Sequence, residues 1–384
     1  MNPWITAAAV VVGLPGGAAV LHLSLLTAAS LAYREPRPMS GAPRLRFLTL
    51  VPARNEATVL PETLARMVAQ CREGDRVLVV ADHCSDGTVA VAREAGADVF
   101  ERSTGLPGRA AARQAGLDHV RSWQWDAIAM VDADCIVEPG FLAACERALV
   151  GADVLQVRAE AEHAGGFFPR MTTVAFAIQG VVVPRGRDRL RLSVRLRGMG
   201  MVMRRAIVER YSFRAEGASE DLWYSLDLCL DGIHPRHADS ARLHARSVRS
   251  RGGATEQRTR WEAGRMAAAR EFVPRLLRRH DRASLEAAWY LLSPPLAVSV
   301  LSLLGAAALA WVGGGVWLLG TALGLVALLA VDLVIALLTA RVEARTWLAL
   351  CAAPAYIAWK AWIQLRAAGR VLRARTDFPP TPRE

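Results

Sequence analysis

The sequence predicts an α/β fold with a mostly parallel sheet, carrying apolar membrane helices toward both ends. Three observations predict it. Between residues 47 and 131, short apolar runs alternate with amphipathic stretches, the βαβ signature of a parallel sheet. Polar clusters stand where those runs stop, at Asn55-Glu56, Asp82 and Asp132-Ala-Asp134, and open α/β sheets bind ligands beyond the carboxyl ends of their strands. Long uncharged segments flank the region on either side.

Residues 5–33 contain no Asp, Glu, Lys or Arg. At about 1.5 Å per residue such a helix crosses a hydrocarbon core of about 30 Å. It lacks the basic start and shorter apolar core of a cleaved signal peptide, so residues 1–33 read as an uncleaved anchor, with Pro15-Gly-Gly17 as a candidate kink. Arg34, Arg37, Arg44 and Arg46 follow, and the positive-inside rule then places the next domain in the cytoplasm.

That domain is expected over residues 45–265. Strands are predicted at 47–51, 76–80, 98–100 and 127–131, with helices at 56–70, 88–95 and 108–120 between them. Residues 151–265 are more mixed, with a strand at 153–157 and a turn at Gly198-Met-Gly200. Residues 266–284 are basic and partly amphipathic, which suits a helix lying on a membrane surface. Residues 285–340 read as two spans, 285–312 and 316–340, around the turn Gly313-Gly-Gly315.

Residues 346–384 read as a further membrane-associated helix and a basic tail. The stretch 347–365 is long enough to cross, yet Pro354, Lys360 and the bordering tryptophans suit an interfacial helix. Crossing would carry Arg366, Arg370, Arg373 and Arg375 outside, against the charge rule, so three spans are expected.

The chain has 384 residues, is 53% hydrophobic and carries a net charge of +11, nearly all from arginine, with Lys360 the sole lysine. That bias is explained by a GC-rich genome, and no nucleic-acid partner is expected because no recognition motif accompanies the charge. Cys71, Cys84, Cys135, Cys145, Cys229 and Cys351 form no Cys-x-x-Cys pair and read as reduced thiols.

The motifs carry specific chemistry. Side chains two apart on an extended backbone point the same way, so Asp132 and Asp134 can approach one hard cation, Mg²⁺ or Mn²⁺, whose other positions go to water and phosphate oxygens. Asp82 offers acceptor oxygens beyond a strand, while Asp86-Gly87 fits a turn. Asn55 and Glu56 either close a pocket at the first strand end or cap the next helix. Arg109 opens a helix after Gly105-Leu-Pro-Gly108. Ser219 is placed to cap a helix starting at Glu220-Asp221. Gln257, Arg260 and Trp261, spaced i, i+3 and i+4, share one helix face.

In this order the motifs resemble the family 2 glycosyltransferases with a GT-A fold, in the membrane-embedded branch that includes hyaluronan, chitin and cellulose synthases. The resemblance covers residues 47–265. Val51-Pro-Ala-Arg-Asn-Glu56 and Val80-Ala-Asp-His-Cys-Ser-Asp-Gly-Thr88 resemble the family's first two strand ends. Ser219-Glu-Asp221 stands where Thr-Glu-Asp is usual, Arg109 replaces a usual lysine, and Gln257 to Trp261 is a full Gln-x-x-Arg-Trp.

The resemblance implies an inverting transfer with Asp221 as base beside Glu220. It implies a nucleotide-sugar donor, UDP-linked by expectation, held by Asn55, Glu56, Asp82, Arg109 and Asp132. Asp134, with Asp132, holds the metal, or Asp132 mainly meets the nucleotide sugar. Gln257, Arg260 and Trp261 serve the diphosphate and acceptor. The expected acceptor is a glycan or lipid-linked molecule in envelope or exopolysaccharide synthesis, the expected place the inner membrane among its lipids, and a homo-oligomer would supply a channel that few spans cannot. The alternative is a catalytically silent GT-A scaffold that senses nucleotide sugar or partners an export system. A transporter is disfavoured, since the spans show no repeat and only Asp332 as an internal acid.

Overall fold

A computed structural model describes residues 2–35, 44–162, 166–214, 219–246 and 251–372. Arg37, Arg373 and Arg375 of the basic clusters lie outside the described residues. The chain opens with helix α1 (Pro3–Leu31). Next come β1 (Phe47–Ala53), α2 (Leu60–Val68), β2 (Arg76–Asp82), α3 (Thr88–Glu94), β3 (Asp98–Arg102), α4 (Arg109–His119) and β4 (Ala127–Met130). β5 (Cys135–Val137), α5 (Phe141–Ala148), β6 (Val154–Ala161), α6 (Phe167–Phe176) and α7 (Val183–Arg189) follow, then β7 (Met201–Arg204), α8 (Arg205–Arg210), α9 (Glu220–Leu230) and β8 (Arg236–Ala245). Helices α10 (Arg251–Leu277), α11 (Arg282–Leu292), α12 (Leu296–Val312), α13 (Val316–Thr339), α14 (Ala344–Ala349) and α15 (Ala353–Leu372) complete it.

The chain divides into two units. Residues 34–162 and 192–247 form an α/β unit, and residues 1–33, 163–191 and 248–384 a helical one.

In the α/β unit, one sheet has the order β3-β2-β1-β4-β7-β6-β8-β5. Its first four strands are parallel, as the alternation predicts. β1, β2 and β4 are buried almost throughout, so both faces must be covered, which is why their sequences are apolar without alternation. Leu48, Leu50, Leu78, Val80, Ile128 and Met130 form the core with α4, each worth about 1.5–3 kcal/mol when fully buried. α4 lies close because Gly116 has no side chain: a Cβ there would stand 2.6 Å from Val80 and 2.9 Å from Leu50. The register pairs Leu50 with both Leu78 and Met130, so the ends of β1, β2 and β4 come level at one edge. Beyond β4 the sheet is mixed, with β7 antiparallel to both β4 and β6, β5 antiparallel to β8 and β6 parallel to β8, so that the sheet as a whole stays mostly parallel.

In the helical unit, α1 runs unbroken through Pro15. Ser24 on α1 donates to Asp332 on α13 at 2.6 Å, which gives the one acid of α13 a partner within the helix packing. The expected single span at 285–312 is two helices, α11 and α12, bent by 70°. Pro294 and Pro295 cause the break, because each lacks an N–H and a proline disfavours helix in the residue before it. The expected separate helix at 266–284 is instead the continuation of α10. Nothing stops α10 until residues 278–281, where His280 takes a positive φ and Asp281 caps α11 by accepting from the Ser284 N–H at 2.9 Å. Residues 167–189, expected within the α/β domain, form α6, a π-helical segment and α7 in the helical unit.

Among the described residues four helices are long and apolar enough to cross a membrane: Pro3–Leu31, Phe167–Arg189, Val316–Thr339 and Ala344–Val371. The bent pair α11 and α12 would add a fifth.

Candidate active site

The loops after β1 and β2 are tied together. Asn55, at φ 56, accepts from the Ser85 N–H at 2.8 Å, Thr88 Oγ1 accepts from the Glu56 N–H at 2.8 Å, and Asp86 accepts from the Ala57 N–H at 3.1 Å. Asp86 takes the turn role its sequence suggests. Although burial opposes it, hydrogen bonds from Thr88 and Ala57 hold its carboxyl below the usual range. Neither Asn55 nor Glu56 caps α2, whose N-cap position is Val59.

Asp82, at the end of β2, is buried. Its Oδ2 accepts from the Gly108 N–H at 2.8 Å, and its Oδ1 meets Arg102 and, at 3.0 Å, His83 Nδ1. Arg102 also donates to the Leu106 carbonyl at 2.8 Å. Asp82 therefore fastens the 105–108 turn from which α4 and Arg109 begin.

Four carboxylates gather around two guanidiniums. Arg113, one turn beyond Arg109 on α4, has 0% side-chain exposure and donates to Asp132 Oδ1 at 3.0 Å, Glu220 Oε1 at 3.1 Å and the Gly198 carbonyl at 2.6 Å. Arg109 lies 3.5 Å from Asp132 Oδ2. Asp132 above all, then Glu220, Asp134 and Asp221, hold the Arg109 guanidinium above its usual range against the effect of burial.

Asp221 stands in the first turn of α9. Ser219 occupies the N-cap position but makes no side-chain cap bond; its φ of −152° and ψ of 64° do not direct the hydroxyl to the helix. Asp221 Oδ1 itself accepts from the Leu222 N–H at 2.8 Å. Burial and the neighbouring Glu220 push its carboxyl up to about 6, against the pull of Arg113, the Leu222 N–H and Arg109. Burial thus outweighs the lowering that a helix N-terminus by itself would bring. Gly198, at φ 64, closes the cluster: a Cβ there would stand 3.2 Å from Asp221 Oδ2, 3.4 Å from Arg109 and 3.6 Å from Arg113.

The donor set bears on a divalent metal. Asp134 is half-buried beside Asp132, and no group of three His, Cys, Asp or Glu among the described residues could hold an ion alone. Two motif carboxylates and a surplus of acid over base fit a cation that takes its remaining oxygens from a diphosphate and water. Asp132 is held by two arginines, Arg109 and Arg113.

Gln257, Arg260 and Trp261 lie on α10 in the helical unit. Trp261 is 41% exposed, while Thr255, Arg258 and Thr259 on the opposite side are buried. The three motif residues thus share an outward face, as their spacing predicts. Arg102 and Arg113 escaped the sequence reading, which gave Gly198 only as a turn residue. Arg113 alone had a signal there, its i+4 spacing from Arg109.

Residues 43–264, more than half of the chain, match the profile described as "Glycosyltransferase like family 2". The chain belongs to glycosyltransferase family 2. This glycosyltransferase is similar in structure to the mannosyltransferase PcManGT from Pyrobaculum calidifontis, solved with GDP-Man and Mn²⁺. The TM-score is 0.62 at 18% identity over 97% of this chain and 99% of that one, which shows a shared GT-A fold. Weaker likenesses reach S. aureus TarS 1–349 with UDP (TM-score 0.44, 15% identity, 64% and 70% covered). They also reach glucosyl-3-phosphoglycerate synthase from Mycobacterium tuberculosis with Mn²⁺, UDP and phosphoglyceric acid (0.40, 17%, 66% and 81%). No curated protein matches the glycosyltransferase.

Proposed function

We propose that this glycosyltransferase is a membrane-bound inverting enzyme that moves a sugar from a nucleotide diphosphate donor to a glycan or lipid-linked acceptor. The observation that carries the reading is the cluster around Gly198. Asp221, raised to about 6, lies beside two arginines that are themselves anchored on Asp132 and Glu220.

Such a site suits direct displacement. The acceptor hydroxyl oxygen forms a bond to the anomeric carbon as the bond from that carbon to the diphosphate oxygen breaks. The hydroxyl proton passes to Asp221, whose raised pKa brings it nearer the operating pH than an ordinary aspartate. The products are the glycoside and a nucleoside diphosphate. Arg109 meets the charge developing on the leaving group, and Arg113 keeps Asp132 and Glu220 in place. Asp134, with Asp132 beside it, would hold Mg²⁺ or Mn²⁺, and the metal when bound supplies Lewis-acid neutralisation of the departing diphosphate. By the family resemblance, Arg260 is assigned to the leaving group, Trp261 to an acceptor sugar and Gln257 to their placement.

Asn55, Glu56 and Asp82 shape the nucleotide end, Asp82 through the turn it fastens. The apolar helices support placement in the inner membrane, with the α/β unit of residues 34–162 and 192–247 on the cytoplasmic side and residues 1–33 as anchor. UDP is the favoured nucleotide by family resemblance; the GDP-Man of PcManGT makes a guanine nucleotide the second to try.

The test is nucleoside diphosphate release by the full chain in lipid nanodiscs, from UDP-glucose, UDP-galactose, UDP-N-acetylglucosamine and GDP-mannose with Mg²⁺ or Mn²⁺. Metal-dependent release from one donor that vanishes in Asp221→Asn supports the reading. Folded protein that neither binds nor turns over any of the four overturns it in favour of a silent scaffold.

A further inference from the structure

Two acids bracket the Gln257-x-x-Arg-Trp261 segment, Glu256 immediately before it and Glu262 immediately after. Both are held by cations of one other helix. Arg370 donates to Glu256 at 2.5 and 3.1 Å and Arg366 at 3.3 Å, while Lys360 donates to Glu262 at 3.3 Å. All three cations belong to α15, and the pairing is antiparallel, residue 256 meeting 366 and 370 and residue 262 meeting 360. These are not loose surface pairs, for the Glu256 and Glu262 side chains are only 16% and 14% exposed.

Between the ion pairs the contact is packed. Trp359 Nε1 donates to Thr255 Oγ1 at 3.2 Å, and Ala254 packs with Trp359 and Ile363. Arg258, buried on the inner side of α10, lies 5.8 Å from the Tyr356 ring centre and 5.7 Å from that of Trp359, and donates to Thr172 on α6 at 2.8 Å. Rotating α10 by one residue, about 100° on a helix of 3.6 residues per turn, would break every one of these contacts.

We propose that α15 is a clamp that sets the rotation of α10, and that Glu256, Glu262, Lys360, Arg366 and Arg370 are positioning residues for Gln257, Arg260 and Trp261. This rests on the role given to those three above. The clamp also fixes the place of α15. α10 carries charged residues along most of its length, among them Arg260, Glu262, Arg265, Arg270, Glu271 and Arg275, and cannot lie in hydrocarbon. A helix ion-paired along its flank lies in the same polar layer. The 344–371 stretch is therefore a surface helix and does not cross, with Pro354, Ala358, Trp362 and Leu365 on its exposed side turned to the lipid boundary.

The test uses the full chain in nanodiscs with the four donors named above and Mn²⁺. Arg366→Glu with Arg370→Glu is expected to lower kcat by about 10²-fold, the scale of a small misplacement of reacting groups. KM for the donor should stay within about twofold, since Arg260 is assigned to the charge that develops on the leaving group in the transition state. Adding Glu256→Arg to the pair should recover most of the rate. Unchanged kcat in the double variant overturns the proposal, as does failure of the triple variant to recover although its thermal unfolding matches wild type.

A second readout needs no turnover. Lys360 is the only lysine in the chain, so its labelling by trinitrobenzenesulfonate, located by mass spectrometry, reports the clamp directly. Faster labelling in Glu262→Gln than in wild type supports the clamp, and equal rates overturn it. Full activity in Arg260→Ala would instead remove the role assigned to the α10 face, with the labelling still judging the clamp.

Discussion

Arg113 reaches Glu220 at 3.1 Å from a position with no solvent exposure, joining α4 to the first turn of α9. Through its other nitrogen the same guanidinium holds Asp132, so one buried cation ties the Asp-x-Asp segment to the Glu-Asp pair. Breaking a buried pair from one side strands the other charge, at a cost of about 3–5 kcal/mol. Arg113→Met should therefore lower thermal stability and abolish transfer together. Arg113→Lys keeps the charge but loses the fork that serves three acceptors, so it should retain more stability than activity. Differential scanning calorimetry beside a release assay separates the two.

Asp221 makes the pH profile informative. It must be ionised to accept a proton, so kcat/KM should fall on the acid side through an apparent pKa near 6, above the limb of an ordinary aspartate. Asp221→Asn should lose about 10²–10⁴-fold in rate. The stability sign follows from the same shift. A carboxyl whose folded pKa is raised disfavours the folded state when ionised, a penalty present in full above about 6 and relieved as pH falls toward the unfolded value. Asp221→Asn should then stabilise the protein at pH 8 and change little at pH 4, as read from melting temperatures at the two pH values.

Two glycines separate site from core. Gly198→Ala places a methyl against Asp221 and Arg109 at a positive φ, so it should cut kcat strongly with a stability loss of about 1 kcal/mol. Gly116→Ala forces α4 off Val80 and Leu50 and should cost about 1–3 kcal/mol by overpacking. Chemical denaturation and turnover measured side by side should rank the two variants in opposite order.

Asp82→Asn removes the charge that grips Arg102, and an amide cannot accept from Arg102 and from the Gly108 N–H in the same way. The 105–108 turn should loosen and Arg109 with it. Weaker binding of UDP in Mn²⁺ buffer, measured by calorimetry, is expected together with a lowered melting temperature, since Arg102 loses its buried partner. Unaltered UDP affinity would show that the turn does not position Arg109.

Metal removal offers a fifth check. Treatment with EDTA should abolish turnover and added Mn²⁺ or Mg²⁺ restore it, while Asp134→Asn should raise the metal concentration needed for half-maximal rate. Unaffected turnover in EDTA would exclude Asp134 from that role.

By itself, the sequence determined the local features of this glycosyltransferase: the first four strands, the helices between them, and the clusters at the strand ends. These are legible because hydrophobic periodicity and motif spacing are short-range properties of consecutive residues. Tertiary structure decided the rest. Nothing near Arg113 in sequence announces that it joins residues 132 and 220, because a buried arginine gets its meaning from acids that only folding brings to it. The mixed half of the sheet, the assignment of residues 167–189 to the helical unit and the use of Arg366 and Arg370 against Glu256 are equally long-range. Asp221 shows the limit most plainly. Its place at a helix start argued for a lowered pKa, and burial, which depends on every element packed around it, reversed the sign.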